Sequence, residues 1–350
     1  MTKRLSTPVL IVGGGPVGLA LALDLGRKGV ELTLVEARDG SVNVPKMNMV
    51  NARSMEFCRR WGLAERIKEI GWPEDFENNA MFVTSLGGWE LATFDYPSYA
   101  QRPELPYTPE GSRRISQMYF DAMLAAETAK IPGVARLYRT RLISFEQFPD
   151  RVEALVRDRD TGEETIVSAD YLVGCDGAES GVREMAGIGI DGSMRISSSI
   201  SMFVHSPGLR DAHPKRDAWV YWCYGPEGFW GSVGSVNGDD LWRFGCFTQG
   251  SNPDLEKFDP DFWIRKAIGF DHPFEVKAIL PWDRREMVAE RYVAGRVILA
   301  GDSAHAMSPT GGLGMNTGLA DADGLSWRLA AIVHGWGDPA LLDSYDLERR

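Results

Sequence analysis

Cysteine is scarce in this 350-residue chain. Its four cysteines, Cys58, Cys175, Cys223 and Cys246, form no C-x-x-C pair, so neither a disulfide framework nor a thiolate zinc site is expected. The five histidines include no two spaced to share a helix face, and no metal is expected. Positive charge is also in short supply: 38 Lys and Arg stand against 49 Asp and Glu, a net charge of -11. That balance argues against nucleic acid or an anionic membrane surface as a partner, because both reward clustered basic residues. Long apolar runs are missing too. The run after Lys3 and Arg4 is broken at Gly13 to Gly15, and none approaches the ~20 residues of a membrane span. No signal peptide is expected, and a reducing cytoplasmic setting fits. Neither an internal repeat nor a low-complexity tract is found. With 44% hydrophobic residues, the chain suits one large or two medium globular domains.

The most informative stretch lies late. Val297-Ile298-Leu299-Ala300-Gly301-Asp302-Ser303-Ala304-His305 is a strand-length apolar run that delivers a carboxylate at Asp302. Pro309-Thr310-Gly311-Gly312-Leu313-Gly314-Met315-Asn316 then opens a helix continuing through Leu319, Ala322, Leu325 and Leu329. Free amides at a helix start attract anionic groups, and glycines admit a flat ligand to the backbone. The same residues also suit an ordinary strand, turn and helix.

At the start, Pro8-Val9-Leu10-Ile11-Val12 reads as a strand buried on both faces. Gly13-Gly14-Gly15-Pro16-Val17-Gly18 completes a G-x-G-x-x-G, and a helix follows, ending at Arg27, Lys28 and Gly29. A second strand, Val30 to Val35, ends at Glu36, about 20 residues beyond the glycines, where a carboxylate binds a ribose hydroxyl pair. An acidic rather than basic residue there favours FAD or NAD over NADP at this site.

Pro45-Lys46-Met47-Asn48 leads to a helix stopping near Gly62, with Asn48 or Asn51 as cap. Lys46 suits either an anionic cofactor or solvent. From Glu74 to Thr108 short β-like fragments intervene, and a helix from Ser116 to Lys130 carries Gln117 in its first turn. Leu142 to Phe148, Arg151 to Arg157 and Glu164 to Ser168 read as a meander, and Tyr171 to Gly174 as a separate buried strand ending on Cys175-Asp176-Gly177. Between Arg195 and Pro281 strands return at Trp219 to Tyr224, Phe229 to Val236 and Leu241 to Thr248, with Asn237-Gly238 as the turn between the last two. There Leu241, Arg243 and Phe247 share one face, and Arg243 needs a partner or a bound anion.

These pieces, in this order, resemble the FAD-dependent aromatic hydroxylases, the para-hydroxybenzoate hydroxylase-like flavoprotein monooxygenases, over nearly the whole chain. The segment from Pro45 to Glu56 is most similar to the phenol, 2,4-dichlorophenol and polyketide hydroxylase branch. The resemblance implies an α/β fold: a Rossmann-type, glutathione-reductase-like FAD domain (1–73, 109–194, 283–350) with an inserted β-rich substrate domain (74–108, 195–282). It implies FAD held by Gly13, Gly15, Pro16, Val17 and Gly18 at the pyrophosphate and Glu36 at the ribose. Lys46, Gln117, Asp176 and Asp302 would add contacts, with Pro309, Gly312, Leu313, Gly314, Met315 and Asn316 lining the isoalloxazine. Lys46 stands where related enzymes often have arginine.

NAD(P)H is implied as a transient reductant, since no second G-x-G-x-x-G of this quality exists. The implied reaction inserts oxygen from O₂ into a small phenolic or polyketide aromatic through a flavin C4a-hydroperoxide. No base is singled out; Tyr221, Tyr224, His205, His213 and Arg243 are the polar candidates. A homo-oligomer is compatible with the resemblance. The chain stops at Arg350 where most relatives of the branch continue, so a C-terminal region is expected to be missing. Open alternatives are a FAD-dependent oxidoreductase, a halogenase, whose signature is absent, and a FAD-binding protein without turnover.

Overall fold

The structure, a computed structural model, describes residues 3–46, 48–247 and 256–350. The chain divides into two compact units: Met1–Val42, Gln117–Ser193 and Glu286–Arg350 form the first, Asn43–Ser116 and Met194–Arg285 the second.

The first unit is built on parallel strands. Lys3–Val12 pairs in parallel with Leu32–Val35 on one side and Glu164–Gly174 on the other, Val297–Leu299 adds beside Glu164–Gly174, and Val134–Leu137 extends the far edge. Val9, Leu10, Ile11, Leu172, Val173, Ile298 and Leu299 are fully buried, as strands covered on both faces must be. Helices Pro16–Arg27 and Gly314–Val333, packed against each other, bury Leu19, Leu23, Leu325 and Leu329. The architecture is α/β and Rossmann-type.

One expectation is corrected here. The third meander strand and the buried strand ending at Gly174 are one strand, Glu164–Gly174. Its first half pairs antiparallel with Val152–Asp158 while nearly its whole length pairs with Lys3–Val12. Ladder partners on both sides carry it through the polar Ser168-Ala169-Asp170, where local pattern alone suggests a break.

The second unit carries a sheet in the order Glu275–Ala289, Ile190–His205, Leu241–Phe247, Gly228–Ser235, Ala218–Gly225, Asn79–Val83, Glu90–Phe94. One face packs a core of Met202, Val204, Tyr221, Val233, Trp242 and Phe244 against helix Pro260–Ile268. The turn at Asn237-Gly238 sits in a loop longer than two residues, Val236 to Asp240. Gly238 adopts φ 80° there, and Asn237 Oδ1 accepts from the amides of Asp239 and Leu241. Asn51 caps helix Ala52–Arg60 by accepting from Ser54 N at 2.8 Å. Residues 43–73 and 109–116 fall in this unit rather than with the glycine motif, because Met49–Val50 pairs with Arg113–Arg114 and Arg114 stacks on Trp72 and Trp219. Met47 and Thr248 lie outside the described residues.

The central position of Glu164–Gly174 gives a direct expectation. Leu172→Ala removes a fully buried side chain and should lower unfolding free energy by ~3 kcal/mol, measured by urea denaturation followed by circular dichroism.

Candidate cofactor site

Four parallel strands end at one edge, at Val12, Val35, Gly174 and Leu299. The turn leaving each is therefore brought to the carboxyl edge of the sheet, the place where open α/β sheets bind ligands. Gly13 (φ 112°) lies against the Cys175 carbonyl, which a Cβ would overlap, and a Cβ on Gly18 would overlap the Gly13 carbonyl. Gly15 differs. Its φ is -75°, and a Cβ there would meet no protein atom within 4 Å. The first and third glycines of the motif thus serve packing, and the second leaves open space.

Glu36 at the end of its strand accepts from the amides of Gly14 (2.6 Å) and Arg38 (2.8 Å). Those bonds fix the carboxylate beside the glycine turn and leave each oxygen a further acceptor site. Helix Pro16–Arg27 begins with no side-chain cap, as does Gly314–Val333. With no side-chain cap, such helix starts suit an anionic ligand, except at Pro16, which has no amide to offer. Gly312 takes φ 63°, Asn316 Nδ2 donates to the Gly312 carbonyl at 2.8 Å, and Leu313 is exposed. A Cβ on Gly314 would likewise meet nothing within 4 Å. This cradle of open glycines, uncapped helix starts and a fixed carboxylate suits a dinucleotide.

Asp302 is exposed in the turn Gly301–Ser303, and a Cβ on Gly301 (φ 65°) would press on Val17. Val17 thereby locks the start of the first helix to the Asp302 turn. Asp176 is spent internally: Oδ1 accepts from Ser180 Oγ and Oδ2 from the Val182 amide at 3.0 Å. Burial raises its pKa, partly offset by those bonds. Gln117 Nε2 donates to Asp121 Oδ2 at 2.9 Å.

Sequence reasoning missed the group behind the Asp302 turn. Asp321, fully buried, accepts from the Gly301 amide (2.9 Å) and pairs with His305 Nε2 (2.6 Å) and Arg349 Nε (2.7 Å). Burial pushes its carboxyl up, but the His305 bond and the His305 and Arg349 charges hold it below its ordinary value. A carboxylate within the apolar helix run Leu319-Ala320-Asp321-Ala322 was the available signal.

The remaining candidates belong to the second unit. Lys46 is exposed before Met49–Val50. Tyr221 and His213 lie on the core face: Tyr221 donates to the Arg216 carbonyl at 2.8 Å, and burial lowers the His213 pKa to about 4. His205 pairs with Asp240 at 3.0 Å, and Tyr224 packs on Phe82 and Phe229. Arg243 turns to the face opposite the core.

The profile of the FAD binding domain matches residues 6–350. The chain belongs to that family. Within it the relatives are FAD-dependent aromatic hydroxylases. A provisionally named polyketide hydroxylase of Streptomyces halstedii is 37% identical over 98% of this chain and 62% of its own length. The 2,4-dichlorophenol 6-monooxygenase of Cupriavidus pinatubonensis is 30% identical over 100% of this chain and 60% of its own. The flavin-dependent monooxygenase PieE, solved with FAD and substrate, superposes with a TM-score of 0.91 at 30% identity, covering 99% of this chain and 61% of that one. The chain thus spans about three fifths of the length of these relatives. The α/β FAD fold and the aromatic hydroxylase branch agree with the resemblance drawn from the motifs.

Two glycine substitutions separate packing from binding. Gly13→Ala should lower the Tm of the flavin-free protein by several degrees, because its Cβ collides with backbone and φ 112° is strained. Gly15→Ala should leave that Tm within a degree yet weaken FAD binding about tenfold or more, read by flavin fluorescence titration. Asp321→Asn should cost about 3 kcal/mol at pH 7 by loss of a buried charge partner. Asp321 has a depressed folded pKa, so its contribution is present above the ordinary 3.8 and lost as pH falls through the lower folded value. The gap between wild type and variant in urea denaturation should therefore narrow as pH falls below 3.8.

Proposed function

We propose that this chain is the FAD-binding portion of an NAD(P)H- and O₂-dependent monooxygenase that hydroxylates a phenolic or polyketide aromatic. The observation that carries the reading is the set of turns in the first unit, where Gly15 opens onto free space in the turn braced by Glu36, Gly314 opens onto free space at the start of its own helix, and neither helix start has a side-chain cap. The kinship with polyketide and phenol hydroxylases supports the reaction class.

In this assignment Gly13, Gly15, Pro16, Val17 and Gly18 form the pyrophosphate turn, and Glu36 takes the adenosine ribose hydroxyls. Asp302 and Gln117 serve the ribityl and pyrophosphate region. Pro309 and Gly312 to Asn316 present backbone to the ring, with the Gly314 amides at the positive end of their helix favouring a reduced, anionic ring. Lys46 and Asp176 complete the set, Asp176 by holding its turn in shape. Asp321 acts one step back: by accepting from the Gly301 amide it fixes the turn that presents Asp302. When bound, FAD supplies electron transfer from NAD(P)H and the activation of O₂.

The test is rapid mixing of FAD-loaded protein with NADPH or NADH, alone and with 2,4-dichlorophenol or 1-naphthol, followed by ¹⁸O₂ and mass spectrometry. Aromatic-stimulated nicotinamide oxidation with one ¹⁸O atom in the product is expected. Tight flavin binding with no reduction by either nicotinamide in the presence of any aromatic would overturn the proposal in favour of a binding protein. Flavin reduction without oxygen insertion would overturn it in favour of another oxidoreductase.

A further inference from the structure

The stretch from Ala300 to Leu313 joins strand Val297–Leu299 to helix Gly314–Val333 and carries both the Asp302 turn and the Pro309–Gly311 turn. Its own support is slight. Gly301 and Gly312 take left-handed φ values of 65° and 63°, and its strand pairing is the two-residue ladder of His305 and Ala306 with Val288 and Met287. Glycine-containing backbone with so short a ladder loses much conformational freedom when it is fixed. Anchors from outside the stretch therefore decide how well it is held.

Those anchors converge on one element that supplies no flavin contact in the assignment above, the helix Leu341–Arg349. At the entry to the stretch, Tyr345 Oη donates to the Leu299 carbonyl at 2.9 Å. At the exit, Arg349 Nη2 donates to the carbonyl of Thr317, in the first turn of helix Gly314–Val333, at 3.2 Å. Between these points Arg349 Nε donates to Asp321 Oδ1 at 2.7 Å, while Asp321 Oδ2 accepts from the Gly301 amide and pairs with His305 Nε2. Asp302 is thus bracketed by two residues tied to Asp321, and Asp321 is tied to Arg349. Tyr345 and Asp321 are fully buried, where a missing hydrogen-bond partner is not replaced by bulk water.

A second tie between the same two helices makes a natural control. Arg328 donates to Ser344 Oγ at 3.0 Å and pairs with Glu348 at 2.7 Å. It secures helix Leu341–Arg349 without bonding to either end of the stretch.

Resting on the assignment of the Asp302 turn and the Gly314 helix start to the flavin, we propose that Arg349 and Tyr345 are positioning residues for FAD. Helix Leu341–Arg349 clamps both ends of the ring-facing stretch and so sets how tightly FAD is held and how far its reduced form is favoured. A stretch already fixed in its binding conformation has less ordering left to do when the ligand arrives. A fixed first turn also keeps the positive end of helix Gly314–Val333 aimed at the negative charge of the reduced ring.

The experiment measures the FAD dissociation constant by fluorescence titration, the flavin midpoint potential by dye equilibration, and the Tm of the flavin-free protein. Arg349→Met should weaken FAD binding about tenfold and move the midpoint potential to a more negative value. Arg349→Lys, which keeps the charge without the fork, should recover part of both effects. Tyr345→Phe, which removes a single hydroxyl and keeps the packing, should weaken FAD binding about threefold. Arg328→Met should lower the Tm yet leave affinity and potential at their wild-type values, and circular dichroism verifies that each variant folds. Unchanged affinity and potential in both Arg349→Met and Tyr345→Phe would overturn the clamp. So would equal weakening in Arg328→Met, since the losses would then follow stability alone. Asp302→Ala keeps the two levels apart: wild-type affinity and potential in that variant would overturn the assignment of the turn to the flavin. Weakened binding in Asp302→Ala with none in Arg349→Met would uphold that assignment and overturn the clamp.

Discussion

The first unit depends on a contact that leaves no room for a side chain. Gly13 rests on the Cys175 carbonyl and Gly18 on the Gly13 carbonyl, so the turn leaving the first strand, the start of the helix after it and the end of the neighbouring strand are stacked backbone on backbone. That closeness puts the Gly15 turn, Glu36 and the Asp302 turn along one sheet edge. Val17 extends the same logic, since Gly301 and Gly318 both leave space for its methyl groups. The site is a by-product of how tightly the parallel strands and two helices can approach.

Much of this was legible beforehand because its signals are local. A buried strand, three glycines at fixed offsets and a carboxylate after the next strand occupy 29 consecutive positions from Pro8 to Glu36, and the structure assembles them in that order. The Asn51 cap and the helix through Leu325 were local in the same sense. Long-range pairing was not. Nothing between Ser168 and Asp170 announces that one strand passes through, because the partner that continues alongside it to Gly174 is more than 150 residues away. Asp321 was missed for a related reason: its three donors come from Gly301, His305 and Arg349, and no spacing rule links them.

The second unit shows how one alternating pattern carries two opposed environments. Along Leu241–Phe247 every other side chain enters an apolar core, and the residue between them is an arginine that the core could not accept. Polarity on the far face is sparse but directional: two serines, two glycines and guanidinium groups amid aromatic rings. Sequence alternation revealed that Arg243 required a partner. Only the sheet register shows that the strands beside it offer no carboxylate.

The discontinuity of the first unit bears on how the protein is made. Its glycine turn is synthesised among the first residues, yet the parallel strand that completes the sheet edge, Val297–Leu299, emerges after the whole second unit. At ribosomal rates of roughly 5–20 residues per second, that interval is on the order of 15–60 s. For roughly the last 6–25 s of it, once residue 174 has been made, the strand Glu164–Gly174 has an unpaired edge where Val297–Leu299 will dock, an apolar surface open to mispairing. The second unit can complete its own sheet in the meantime, and its folding would bring the two ends of the first unit's chain back within reach of each other.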